Sequence, residues 1–350
     1  MMQLRRIVSL VICILSICGC VRRDLVDIDK SAELRIRLMT AGINNVTCNI
    51  YNEELAPPPV ITSDKLRVMI YNADGTQTLS QGFLSKKSYD EAGYEVISGP
   101  ISISTGDYKV LGYNFDVENT NIEADISFNS IYAVANEIPQ SYYARFGSRA
   151  SETERIYFQP EHLMVARDPQ LQINNTSKHR IIEMDAETVV DTYYLQIRIS
   201  GKEHLATKAT PVAYFSGLSP RNYIGEDKID VDAPSSVYVE LQLGQDPHIC
   251  DENNDVIYAL VNTFGKVPDA ASELKITFSV LTRDGETHQK VIDMLPIFDT
   301  EDARERHWLL IDEVWEIPEP VFPDDGEGGV FNPKVEDWDD IGTFIPIGAN

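Results

Sequence analysis

The amino-acid sequence predicts an all-β protein, with two β-sandwich domains in tandem followed by a C-terminal extension strand. Short segments in which polar and apolar residues alternate recur along the chain, and this period of two is typical of half-buried strands. Turn residues separate the segments roughly every 8 to 15 residues, which is the spacing of a sandwich. No long segment has the 3.6-residue period of an amphipathic helix.

The first domain is predicted to span residues 32–160. Its strand-like segments are residues 33–39, 65–71, 94–97, 100–104 and 108–113. Asp74 and Gly75 follow the second segment, and an Asp-Gly pair favours a tight hairpin turn. Residues 136–169 are less regular and contain three prolines and one glycine, so they predict the end of this domain and the connection to the next.

The second domain is predicted to span residues 161–318 and has the same character. Its strand-like segments are residues 179–184, 193–200, 236–243, 256–262, 274–282 and 308–317. Asp284 and Gly285 form a second Asp-Gly turn directly after the fifth segment. Glycine and proline are spread through both halves, as the many turns of an all-β sandwich require.

Residues 1–19 are predicted to be a lipoprotein signal peptide, and residues 20–31 a linker that begins at a lipidated Cys20. Two arginines precede an apolar run at residues 7–17, which is too short for a membrane span because a span needs about 20 apolar residues. The residues before Cys20 resemble a bacterial lipobox, which implies cleavage there and acyl chains that anchor the protein to a membrane. The alternative is an ordinary secreted protein in which Cys20 is incidental.

The composition argues against a nucleic-acid partner. The chain has 55 acidic and 30 basic residues, a formal net charge of −25, whereas a phosphate backbone is bound by a basic face.

After the leader and Cys20, the remaining cysteines are Cys48 and Cys250. Two isolated cysteines favour buried single thiols, with a disulfide in an oxidising compartment as the alternative.

Residues 319–350 are predicted to be an acidic linker rich in proline and glycine, followed by a terminal strand. Trp338, Ile341, Phe344 and Ile347 recur in this strand with partly strand-like alternation. These apolar side chains are candidate donor-strand contacts, because a terminal strand that detaches can add to the sheet of a neighbour. The alternative is a last strand that closes its own sheet.

The sequence predicts no enzymatic activity, no cofactor and no metal site. It contains no nucleophile elbow, phosphate-binding loop, dinucleotide-binding glycine motif or zinc-protease motif. Residues 251–255 carry side-chain oxygens as a calcium loop does, but Val256 stands where that loop needs glycine, so a solvated turn is the better interpretation. The tyrosine pairs at residues 142–143 and 193–194 suit carbohydrate binding or ordinary strands.

Four short motifs give the chain a resemblance to a known family. They lie at residues 20–25, 106–115, 262–265 and 331–338. In this order they resemble the fimbrillin-like lipoproteins of Bacteroidetes, a branch of the major fimbrial subunit superfamily. The resemblance implies two transthyretin-like β-sandwiches, made as a lipoprotein and carried to the outer membrane.

The resemblance also implies partners and a mode of assembly. Polymerising members lose an N-terminal strand to an arginine-specific protease, and a neighbour's strand fills the emptied groove. Anchor subunits keep their lipid, and tip subunits cap the fibre. The candidate cleavage positions in this chain are Arg22, Arg23, Arg35, Arg37, Arg145 and Arg149. Surface lipoproteins of this phylum often carry acidic residues just after the lipid cysteine, whereas this chain has basic residues after Cys20. A location on the periplasmic face of the outer membrane is therefore the alternative to the cell surface.

The leading hypothesis is therefore a lipid-anchored structural or adhesive protein of the cell envelope. It would be a fimbrial component at the outer membrane, on the cell surface or in the fimbrium, with other subunits or its own copies as partners. The alternative is a surface lipoprotein that does not polymerise and binds a glycan or a host protein.

Overall fold

Strands make up most of the chain. The structure of the protein, a computed structural model, describes residues 31–58, 61, 63–115, 117–143, 145, 155–174, 180–232, 234–268 and 273–322. The strands of the first half are β1 (Ser31–Leu38), β2 (Leu66–Asn72), β3 (Thr78–Leu84), β4 (Lys86–Tyr89), β5 (Glu95–Ser102), β6 (Gly106–Asn114), β7 (Thr120–Glu123), β8 (Tyr132–Ala135), β9 (Ile156–Tyr157) and β10 (Met164–Ile173).

The second half continues in the same way. Its strands are β11 (Arg180–Thr188), β12 (Asp191–Ser200), β13 (Val212–Leu218), β14 (Arg221–Tyr223), β15 (Lys228–Ile229), β16 (Ser235–Glu240), β17 (Gln242–Gly244), β18 (Asp255–Thr263), β19 (Lys275–Leu281), β20 (Thr287–Asp293) and β21 (Trp308–Glu316). The α-helices of the described chain are short: α1 (Gln140–Tyr143), α2 (Leu295–Phe298) and α3 (Glu301–Arg306). The predicted all-β class is confirmed.

The N-terminal strands build an eight-stranded sheet in the order β3-β2-β6-β10-β11-β1-β5-β4. This sheet curls until strands that are not hydrogen-bonded neighbours meet. A Cβ placed on Gly99 of β5 would lie 3.4 Å from the Cα of Leu84 in β3. The curled sheet encloses a core to which β1 contributes Leu34, Ile36 and Leu38, all without exposed surface.

The C-terminal strands form a two-layer sandwich. One layer has the order β17-β18-β12-β21 and the other has the order β20-β19-β13-β16-β9. Alternate residues of both layers point inward and share one apolar core, for example Ile197 of β12, Phe215 of β13 and Phe278 of β19. Trp315 of β21 closes this core, where its ring lies 6.2 Å from that of Phe278.

A small antiparallel sheet, β15-β14-β8-β7, joins the two halves because β7 and β8 come from the first half of the chain and β14 and β15 from the second. It packs on the outer face of the eight-stranded sheet, where Tyr71 meets Phe128 edge to face with ring centroids 5.6 Å apart. A segment between β1 and β2 also reaches the second half, since Val46, Cys48 and Ile50 pack with Trp308. The halves therefore share buried surface.

Most predicted segments coincide with strands. The two predicted segments at 94–97 and 100–104 form one strand, β5. Pro100, where the second predicted segment begins, lies within β5 and opposite Glu33 of β1. Both Asp-Gly turns are hairpins, with Gly75 at φ +76° and Gly285 at φ +83°. The predicted domain division at residue 160 stays a prediction. In the structure, β10 and β11 follow residue 160 but hydrogen-bond to β6 and β1, which precede it.

Candidate functional site

Strand β1 lies in the middle of the eight-stranded sheet and is hydrogen-bonded along both edges. It runs parallel to β11, with Ala32 opposite Arg180, and antiparallel to β5, with Ala32 opposite Ile101. Its sequence alternates, so Leu34, Ile36 and Leu38 point into the core and the charged residues between them point outward. The space that β1 fills is therefore a strand-shaped groove with main-chain partners on both sides and apolar pockets along its floor.

The outward side chains of β1 are held by ion pairs. Arg37 donates from Nε and Nη2 to the two carboxylate oxygens of Asp185 in β11, at 2.8 and 2.9 Å. Arg35 donates to Glu33, at 3.1 Å from Nε to Oε1. The hydrogen bond from Arg37 lowers the pKa of Asp185, and the hydrogen bond from Arg35 lowers the pKa of Glu33.

The inward side of β1 is tightly packed. Gly112 of β6 lies beneath Ile36, and a Cβ placed on this glycine would be 2.3 Å from the Ile36 Cδ1 atom. Because real Cβ contacts are not that short, glycine at 112 is what lets Ile36 reach the core. The groove is thus shaped for this strand's own side chains.

A second feature, here called the outer cleft, lies on the opposite face of the same sheet. The register of β3, β2 and β6 places Phe83, Arg67 and Tyr113 side by side in one row on that face. Gln81 lies one row further along β3. A wall that includes Phe115 and Ile122 faces them, and together they enclose about 600 Å³.

The outer cleft combines aromatic surface with an unpartnered hydroxyl. The rings of Phe83 and Phe115 lie 5.4 Å apart, and Phe83 is 58% exposed. Tyr113 is 1% exposed, and its hydroxyl has no hydrogen-bond partner within the described part of the chain. Burial raises the pKa of Tyr113 to about 12, so the hydroxyl is neutral and able to donate.

The polar side chains of the outer cleft are held in place by hydrogen bonds. Arg67 Nη2 donates to Gln81 Oε1 at 2.7 Å and to Asp125 Oδ2 at 2.9 Å. Asn121 Nδ2 donates to Asn136 Oδ1 at 2.6 Å. The Arg67 charge is therefore matched by Asp125, and the cleft presents no unpaired charge among these residues.

The site residues predicted from sequence lie outside the described residues. This applies to the lipidation site Cys20 and to the candidate donor-strand contacts Trp338, Ile341, Phe344 and Ile347. These assignments stay predictions. Within the described residues, no helix is long and apolar enough to cross a membrane.

The other residues singled out in the sequence have structural surroundings. Cys48 and Cys250 are free thiols in the same apolar cluster, Cys48 buried and Cys250 partly so. Tyr194 is buried, and Tyr142 packs against Phe158 and Tyr238, so neither tyrosine pair forms an open aromatic platform. Phe83 and Phe115 form an aromatic pair in the outer cleft, which sequence reasoning did not single out as a site.

The described part of the chain contains no cluster of side chains that would form a metal centre. Nowhere in the described ranges do three or more His, Cys, Asp or Glu side chains lie where they would hold a metal ion. His162 is buried, with Nδ1 3.1 Å from Thr188 Oγ1 and Nε2 3.2 Å from Thr192 Oγ1. Burial lowers the pKa of His162 to about 4, so the ring is neutral and bridges the end of β11 to the start of β12.

With this geometry in view, the comparison with known families gives an assignment. A family model described as Domain of unknown function (DUF5119) matches residues 58–240, more than half of the chain. This chain belongs to the DUF5119 family. The DUF5119 match runs from before β2 to the end of β16, so it includes the outer cleft and the small antiparallel sheet and begins after β1.

One curated relative gives a functional context. This DUF5119 chain is 23% identical over 231 residues to a protein of Bacteroides ovatus named as a candidate fimbrium anchoring subunit, Fim4B. The alignment covers 66% of this chain and 59% of the relative's length. The chain thus spans less than two thirds of that relative.

One of two solved structures compared with this chain shares its fold. A candidate adhesin from Bacteroides ovatus is 19% identical, with a TM-score of 0.57 over 87% of this chain and 99% of that one. The fimbrial anchor protein Mfa2 from Porphyromonas gingivalis is 11% identical, with a TM-score of 0.44 over 80% of this chain and 88% of that one. The first of these likenesses establishes a common architecture.

Proposed function

We propose that this protein is a lipid-anchored component of a fimbrium at the outer membrane, and that it serves as the anchoring subunit. The main support is its similarity to the Bacteroides ovatus protein named for fimbrium anchoring. The expected lipid on Cys20 would hold the chain to the membrane from its N-terminus. Other fimbrial subunits are then its partners.

Within this proposal, β1 stays in place in the anchoring subunit, whereas a polymerising subunit would lose it to a protease. The groove in the eight-stranded sheet is filled by the chain's own strand, with Leu34, Ile36 and Leu38 completely buried. A subunit whose groove is filled from within cannot accept a strand from a neighbour, since the main-chain hydrogen bonds on both edges are already made. Such a subunit can donate a strand but not receive one, and it therefore ends a fibre.

The proposed connection to the next subunit is strand complementation by the C-terminal strand. Residues 330–350 would leave this chain and add to a neighbour's sheet, where main-chain hydrogen bonds supply affinity and side chains fill pockets. Trp338, Ile341, Phe344 and Ile347 are the proposed pocket-filling residues.

The first test is intact-mass and N-terminal analysis of the protein recovered from its native envelope. The proposal predicts a chain that begins at a lipid-modified Cys20 and retains β1. A new N-terminus after an arginine within or just before β1 would overturn the anchoring role, because the groove would then be open to a neighbour. A complete chain without lipid would overturn the membrane attachment.

The second test is removal of residues 330–350. The truncated protein is expected to keep the two halves folded, with the circular dichroism spectrum and melting temperature of the rest of the chain, and to fail to join other fimbrial subunits. A companion variant replaces only Trp338 and Phe344 by alanine, so it removes two pocket-filling side chains and keeps the main chain of the strand. Normal fimbrial assembly with the truncated chain would eliminate the C-terminal strand as donor.

A further inference from the structure

We propose that the outer cleft is a binding site for a neutral saccharide unit of a glycan. This goes beyond the proposed anchoring role, which concerns β1 and the C-terminal strand. The cleft of about 600 Å³ has the size of a small-molecule site, and it combines apolar walls with a few fixed polar groups.

The floor of the outer cleft has a group that needs a partner. The Tyr113 hydroxyl is buried and neutral, lies beside the Arg67 guanidinium, and makes no hydrogen bond of good geometry among the described residues. A buried polar group left unpaired destabilises the state that contains it, so a ligand that supplies a partner gains from making that bond. A ligand hydroxyl meets this need because it both donates and accepts.

The rim of the outer cleft has an aromatic surface that faces solvent. Phe83 is 58% exposed and lies beside Phe115, with ring centroids 5.4 Å apart. A ring face is electron-rich and attracts C–H groups, which cover one side of a pyranose ring while its hydroxyls point outward around the edge. An exposed ring above polar groups therefore matches the two kinds of surface of a sugar.

The charge balance of the outer cleft selects against ions. Arg67 is the charged residue of the lining, and it donates to the Asp125 carboxylate at 2.9 Å and to Gln81 Oε1 at 2.7 Å. A neutral ligand with several hydroxyls suits these groups, whereas the Asp125 carboxylate beside Arg67 weakens the attraction of this arginine for a phosphate or carboxylate.

The test uses the purified full-length protein on an array of neutral and acidic oligosaccharides, followed by calorimetric titration of a retained neutral saccharide. Phe83→Ala is expected to raise the Kd about tenfold, since the stacking surface is lost. Tyr113→Phe is expected to raise the Kd about fivefold to tenfold, since one hydrogen bond is lost. Leu79→Ala is the matched control, because Leu79 is 53% exposed on the same strand and lies outside the lining; its Kd should change less than twofold.

Three results would overturn the saccharide site. They are the absence of any retained saccharide, selective retention of acidic saccharides, and an equal loss of affinity in the Leu79→Ala and Phe83→Ala proteins. A fourth such result is binding of an aromatic peptide in place of a saccharide, with this binding dependent on Phe83. The Phe83→Ala protein should still enter fimbriae normally, so failure of this inference and failure of the anchoring proposal give different outcomes.

Discussion

Arg37 of β1 and Asp185 of β11 are direct partners in the parallel register and form a two-pronged ion pair although they are 148 residues apart in the chain. Asp90 also lies 3.5 Å from Arg37 Nη1, so the arginine contacts carboxylates beyond both edges of its strand. This arrangement holds the C-terminal end of β1 between its two neighbours.

Loss of the Arg37 pair should loosen β1 locally. In Arg37→Ala, the main-chain amides of residues 34–38 are expected to exchange with solvent a few-fold faster, because the pair is exposed and stabilises the strand end only modestly. Hydrogen exchange followed by mass spectrometry measures this. Lys109→Ala serves as a control on another strand, and equal acceleration at residues 34–38 in both proteins would contradict the local role of Arg37.

Limited digestion with an arginine-specific protease should leave β1 intact. Arg35 and Arg37 lie in a strand paired on both edges, and a protease needs an extended, unpaired segment to bind. The described chain should therefore resist cleavage at these two residues under native conditions and become sensitive in mild denaturant. Rapid native cleavage after Arg37 would show that β1 detaches readily, against the structure.

Gly112→Ala should destabilise the eight-stranded sheet by roughly 1 to 3 kcal/mol, because the new Cβ would overlap the Ile36 Cδ1 atom. Chemical denaturation measures the loss of unfolding free energy. Ile36→Val removes that atom, so the double variant should lose less than the sum of the two single variants. Gly82→Ala is the control, since nothing lies within 4 Å of its added Cβ, and it should be close to neutral.

Tyr113→Phe should leave the stability of the unliganded protein unchanged or slightly higher, because the hydroxyl that it removes is buried and unpaired. Tyr71→Phe on the neighbouring strand is the matched comparison, since the Tyr71 hydroxyl donates to the carbonyl oxygen of Asp125 at 3.1 Å. It should lose about 1 kcal/mol of unfolding free energy. Equal losses in the two variants would mean that Tyr113 has a partner.

His162 should make the protein less stable in acid. Its pKa is about 4 in the folded chain, below the ordinary value of 6.5, so the unfolded chain binds a proton first as the pH falls. The loss of stability should begin near pH 6.5, increase down to about pH 4, and reach roughly 3 kcal/mol. Urea unfolding of the wild type and of His162→Gln at pH 7.5 and 4.5 isolates this contribution, because the variant should show a smaller decrease. Equal decreases in unfolding free energy in the two proteins would contradict the role of His162.

The sequence predicted the strands well where one face of a strand is buried, because alternation then appears directly. The segment around β1 is an example, with Leu34 and Ile36 between Glu33, Arg35 and Arg37. Strand β3 was not assigned, since its exposed face carries Leu79 and Phe83 and its interior contains Gly82. The pairing of distant strands in parallel, such as β1 with β11, could not be predicted, because a period of two gives no information on the partner.

The outer cleft was beyond sequence reasoning for the same reason. Phe83, Arg67 and Tyr113 are neighbours through strand register and not through sequence spacing. Phe83 beside Gly82 was the available signal, and it needed the pairing of β3 with β2 before it pointed to a site.

The parallel pairing of β1 with β11 also determines when the fold can form. Arg37 pairs with Asp185, which lies 148 residues later in the chain. In the other half, Arg198 pairs with Asp312, 114 residues later. Contacts this distant make folding slow, because a long loop must close before they form. A chain that crosses a membrane N-terminus first therefore stays unfolded, and able to be threaded, until residues beyond β11 have passed through. If residues 1–19 act as the predicted signal peptide, slow closure of the sheet would help to keep the chain unfolded during export.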